Sequence, residues 1–340
     1  MKVKKKNNLG LSTLRIYLSF LVVASHCFLP KSINSVKSIK KIMIYNRIHA
    51  PTFYVISFFF GYKLFKSKNI SKIKIRFERL LIPYFIWPII IWSLNNLLSL
   101  LFMKTYKISF KDLILQILTG HVFMRVLWFQ YDLIFFTLLM AIIHLLFYEK
   151  LISYILINLK FLSLFLQYSN YNIILFSKYN FIKKYPFGRF FEIVPYCIIG
   201  YILASLSLVH ILSKNRIISI NIFLSFLILN IKHKIFFEIR GFFYQGLKLY
   251  ISSISIFSIF SLIPNEIFAN KYIVKLIELI SIHTAGIYFI HLPLYNYFRI
   301  FLLAKNMGFF GIIMIYFISY FICLFGKIIF RETKLIYLFI

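Results

Sequence analysis

Long apolar runs alternate along this chain with short basic segments. A helix needs about 20 apolar residues to cross a bilayer core. Ten runs approach that length: residues 11–29, 47–65, 80–103, 123–148, 151–166, 190–209, 217–231, 243–263, 273–291 and 308–330. Lys160 interrupts the fifth, the seventh is short, and the eighth contains Lys248, so nine or eleven spans stay open. The runs lack the strict apolar-polar alternation of barrel strands. The pattern predicts an all-α fold, a polytopic helical membrane protein with about ten transmembrane helices. Residues 1–340 form one integral membrane domain without repeat or linker, since the longest connection, 167–189, is too small to fold alone.

Orientation follows the basic residues at the span ends. Lys2, Lys4, Lys5 and Lys6 precede the first run, and Lys63, Lys66, Lys68, Lys72, Lys74, Arg76 and Arg79 follow the second. Lys31, Lys37, Lys40, Lys41 and Arg47 compete from the other side. The first two inner segments favour a cytoplasmic N-terminus, and an even span count then places the C-terminus there too. The start mimics a signal peptide, but Arg15, Ser19 and His26 interrupt its apolar stretch and no small-x-small cleavage site follows. An uncleaved first span is expected.

Composition agrees with this picture. The 340 residues are 61% hydrophobic and 14% charged, and their mean hydropathy is +0.83. That excludes an ordinary soluble protein and a disordered chain. The net charge is +31, from 40 Lys plus Arg against nine Asp plus Glu. In a soluble chain this would suggest nucleic acid; between apolar runs it faces anionic headgroups, and no nucleic-acid partner is expected. Thirty of the basic residues are Lys, the default loop residue of a biased composition, so each of the ten Arg says more. Cys27, Cys197 and Cys323 lie inside apolar runs, with no disulfide or metal-ligand spacing.

An ionisable residue inside a span is costly and marks function by default. Arg15 and His26 are eleven residues apart on the first span. At about 100° and 1.5 Å per residue they share a face, roughly 16 Å apart, with Ser19 on the same stripe. A neutral imidazole in an apolar setting suits a general base that deprotonates a hydroxyl. A structural His bonded to another helix, with Arg15 reaching headgroups, gives the same pattern. Arg76 and Arg79 are helix neighbours at spacing three, and two guanidiniums can grip a phosphate or pyrophosphate. Lipid phosphates would serve equally.

His121, Arg125, Trp128 and Asp132 form one face of the fourth span. Asp132, one of only nine acids, has two readings: it orients His26, or it pairs with Arg125. Ser281, Thr284, Tyr288 and His291 stripe the ninth span, either as a substrate cavity or as an interfacial belt. Arg189, Glu192 and Tyr196 head the sixth span, and Glu238, Arg240, Tyr244 and Lys248 surround the eighth. There is no Walker loop, GxGxxG, HExxH or GxSxG, which argues against ATP-driven transport, zinc proteolysis and hydrolase chemistry.

In order along the chain, these segments resemble the acyltransferase-3 family of integral membrane O-acyltransferases. The segments are Arg15-x10-His26, Phe53 to Tyr62, Arg76-x-x-Arg79-Leu80-x-x-Pro83-Tyr84, Leu127-Trp128-Phe129, Ile199-Gly200-Tyr201 and Ile287-Tyr288-Phe289-Ile290-His291. Ser57 and Gly61 are separated here, where the family keeps them adjacent. The resemblance implies transfer of an acyl group, acetyl by expectation, from cytoplasmic acyl-CoA to a hydroxyl of a carbohydrate or lipid-linked glycan. Acyl-CoA would be a co-substrate; no permanently bound cofactor and no metal is implied. His26 would accept the proton, with Arg15 and Asp132 assisting. Arg76, Arg79 and Arg125 would hold the CoA phosphates, and Trp128, Glu192, Tyr288 and His291 would face the acceptor. The setting implied is a bacterial cytoplasmic membrane, without the esterase-like extracytoplasmic domain of some members. The other reading is a transporter or flippase for lipid-linked glycans, a class that usually shows internal repeats and longer chains.

Overall fold

Helix α1 (Leu9–Cys27) sits at the centre of the computed structural model, which describes residues 8–27, 48–102, 107–120, 122–124, 126–168, 187–206, 247–301 and 309–340. Around it come α2 (His49–Lys66), α3 (Ile70–Phe102), α4 (Phe110–Thr119), α5 (Leu127–Leu146) and α6 (Glu149–Tyr168). Then follow α7 (Phe187–Ser205), α8 (Leu247–Leu262), α9 (Lys271–Ile282), α10 (Thr284–Phe301) and α11 (Phe309–Ile329), with 3-10 turns at Asn265–Ile267 and Lys334–Leu338. The described residues contain no strand. Helix α1 packs on α2, α8, α9, α10 and α11, while α2 packs most extensively on α7. Leu11, Leu14, Leu18, Val22 and Val23 of α1 are buried among these neighbours.

Four described helices are long and apolar enough to cross a membrane: α1, α3, α5 and α11. A fifth span arises if α9 and α10 are taken together across their 60° bend. The sequence count of about ten is not reached among the described residues. The run at 217–231 lies outside them. The run at 273–291 is not one straight span: it breaks at His283, and its second half continues to Phe301. Helix α4 is an addition, only ten residues long. Ser109 and Asp112 close a reciprocal capping box at its start, and Gly120 ends it with φ of 67°, a left-handed cap that favours glycine. Helix α3 begins ten residues before the apolar run and so carries Arg76 and Arg79 on regular helix.

Two local features fix the positions that matter. Gly200 lets α7 approach α2 closely, since a Cβ there would meet the Val55 carbonyl oxygen. Helix α3 contains Pro83 and Pro88, which cannot donate to the helical ladder. The Gln130 amide of α5 donates to Leu80 O beside this interruption at 2.8 Å, tying α5 to α3.

Candidate active site

The polar residues of α1 face α10. Arg15 Nη2 donates to Thr284 Oγ1 at 3.1 Å, at the head of α10. His26, near the other end of α1, lies against His291, with ring centroids 5.3 Å apart and planes inclined at 45°. Both contacts advance in the same direction, so the two helices run side by side in parallel. Between them, Ser19 hydrogen-bonds the Tyr316 hydroxyl of α11 at 3.0 Å. The stripe from Arg15 through Ser19 to His26 is therefore a line of interhelical contacts.

His291 is fully buried. Its Nδ1 lies 3.2 Å from Ile287 O, and a carbonyl can only accept, so Nδ1 carries the hydrogen. The Nε2 lone pair then points into the protein with no hydrogen-bond partner among the described residues. A buried acceptor left unmatched costs about 1–3 kcal/mol, and such atoms are where ligand donors are received. His49, at the head of α2, is a further buried imidazole, and its Nδ1 accepts from Ala50 N at 2.7 Å. Nothing in the sequence singled out His49 from the rest of its apolar run.

A chain of rings leads from this imidazole pair to α2. Tyr288 lies 6.0 Å from His291, Phe129 5.3 Å from Tyr288, and Tyr54 4.5 Å from Phe129, centroid to centroid. The Tyr288 hydroxyl donates to Val126 O at 2.8 Å, just before α5. Trp128 meets Phe129 edge-on. Tyr54 ends the chain by donating to buried Asp132 at 3.3 Å. The His26 ring lies against His291, and Asp132 accepts from Tyr54. Glu192 is buried in α7. His121 and Arg125 lie outside the described residues, as do Glu238, Arg240, Tyr244 and the side chains of Arg189 and Lys248.

Arg76 and Arg79 leave α3 in different directions. Arg76 enters the bundle: Nη2 donates to Ser57 Oγ at 2.9 Å, Nε donates to Thr137 Oγ1 at 3.4 Å, and the guanidinium lies over the Phe58 and Phe65 rings. Ser57 thus acquires a role that its displaced place in the second-span motif obscured. Arg79 is exposed and lies over the Tyr337 ring at 5.5 Å. Among the described residues neither Arg15 nor Arg76 reaches a carboxylate within ion-pair distance. Each is a half-buried cation held by neutral oxygens, an arrangement that favours an anion nearby.

A family model described as an acyltransferase domain matches residues 8–332, essentially the whole chain. The chain belongs to this acyltransferase-3 family, a family of membrane acyltransferases. Comparisons with curated proteins and with solved structures gave no match.

Proposed function

We propose that this membrane acyltransferase is an O-acyltransferase that moves an acyl group, acetyl first among them, from cytoplasmic acyl-CoA to a hydroxyl of a cell-surface glycan or lipid-linked sugar. The observation that carries the reading is the His26–His291 pair, on the same two parallel helices that the Arg15–Thr284 bond joins three turns away. A thioester is already activated, so the protein must position two reactants, take one proton and stabilise an oxyanion. His26 accepts the proton as the hydroxyl oxygen attacks the thioester carbonyl carbon. The carbon–sulfur bond then breaks, the ester remains on the acceptor, and the proton leaves with the CoA thiol. The unmatched Nε2 of His291 receives a hydroxyl of the acceptor, and Tyr288, Trp128 and Glu192 line its approach. Arg15, roughly 16 Å from His26 along α1, is too far away to meet the same carbonyl oxygen; held by Thr284, it serves the anionic donor instead. Arg76, Arg79 and Arg125 draw in the anionic donor, and Asp132 holds Tyr54 at the end of the ring chain.

Both termini face the cytoplasm of a bacterial inner membrane in this scheme, which brings the donor to the basic side. Membranes from cells expressing the chain, incubated with labelled acetyl-CoA, should place label in the glycan fraction. His26→Ala should lower that transfer by about a hundredfold or more. Undiminished transfer by the variant would remove His26 as the base.

A further inference from the structure

Residues 334–339 fold back onto the first half of α3. The 3-10 turn Lys334–Leu338 contacts α3 and α11. Phe339 stacks on Phe330 and meets Trp87 edge-on. Its carbonyl oxygen takes the hydrogen of His283 Nδ1 at 2.7 Å, at the α9–α10 bend. Two glycines make room for it: a side chain on Gly286 or on Gly326 would run into Phe339. The segment is therefore seated in a shaped groove across α3, α10 and α11.

Once seated, it does two things to adjacent residues of α3. Lys334 Nζ donates to Glu78 Oε1 at 2.7 Å. That carboxylate raises the Lys334 pKa above its ordinary value through the hydrogen bond and its charge. Tyr337 puts its ring under the Arg79 guanidinium at 5.5 Å. The acid next in sequence to Arg79 is thus engaged elsewhere, and the guanidinium is backed by a ring face. Arg79 makes no hydrogen bond and no ion pair among the described residues. Stacking occupies the face of a guanidinium and leaves its in-plane N–H donors open, the geometry in which arginine grips phosphate oxygens in pairs.

We propose that Tyr337 and Lys334 are positioning residues that hold Arg79 as a pre-set phosphate site, and that its ligand is the phosphate portion of the acyl-CoA donor. The inference rests on the acyl-CoA reading above. A lipid headgroup offers the same phosphate chemistry, so the test compares a donor that has phosphates with one that lacks them. The full-length protein in membranes is assayed with acetyl-CoA and with S-acetylpantetheine, which carries the same thioester and no phosphate. Tyr337→Ala should raise KM for acetyl-CoA about three- to fivefold, the effect of losing an exposed cation–π contact, leaving kcat and the S-acetylpantetheine kinetics unchanged. Arg79→Ala should raise KM for acetyl-CoA further than Tyr337→Ala does. Tyr337→Phe keeps the ring face and should restore the wild-type KM. Equal kinetics for wild type and Tyr337→Ala with both donors, as a headgroup on Arg79 requires, would overturn the proposal. So would an equal loss with both donors, which marks a purely structural contact. A wild-type protein with no saturable use of either donor would instead sink the acyl-CoA reading itself, and the phosphate site with it.

Discussion

Arg15 and His26 show what helical spacing reveals about single residues. Eleven residues place both side chains on one face of α1, and both reach α10. Spacing cannot name their partners, because Thr284 and His291 lie more than 260 residues downstream and no sequence rule pairs the two helices. Arg76 and Arg79 show the converse. Their spacing suggested joint action on one ligand, yet Ser57 and Thr137 draw one inward and Tyr337 backs the other at the surface. Two outcomes belong to this scale. Thr284→Val removes the hydroxyl that holds Arg15 and should lower transfer about tenfold, since a hydrogen bond to a charged group is worth about 1.5–3 kcal/mol; Thr284→Ser should restore it. Initial rates of label transfer read both. Tyr54→Phe strips a donor from buried Asp132, and a thermal melt in detergent should show a stability loss of about 1–3 kcal/mol.

Helices were legible where apolar runs are long, because crossing a bilayer demands length and hydropathy together. The runs that became α1, α3, α5 and α11 are of this kind. The bend between α9 and α10 was not legible, since Phe339, 56 residues after His283, docks at that joint. Helix α4 escaped notice because ten residues with one apolar face make no long run. It nevertheless organises the approach to α5: Gln116 Oε1 accepts from Val122 N and Met124 N, and its Nε2 donates to Met124 O. Gln116→Leu should leave these backbone groups unmatched, loosen the segment that carries Val126, and so weaken the anchor of Tyr288. Faster amide hydrogen exchange at 122–126 is the expected signature. At the α2–α7 contact, Gly200→Val should cost about 3 kcal/mol, because the added carbons meet backbone that cannot yield. The yield of folded protein after detergent extraction reports it.

At the scale of the molecule, the +31 charge is spread along an all-helical chain of a membrane acyltransferase family. Most of it is Lys between spans, while the residues proposed for the chemistry are a few Arg and His carried by α1, α3 and α10. A cytoplasmic start requires that a tag fused before Met1 be protected from external protease until the membrane is opened. The central claim is that His26 removes a proton from an acceptor hydroxyl during acyl transfer. The most direct measurement is mass spectrometry of surface glycans from cells carrying either the wild-type chain or His26→Ala at equal membrane abundance. Alkali-labile acetyl esters present with the wild type and lost with the variant are the predicted result. Equal acetylation in the two strains would contradict the account.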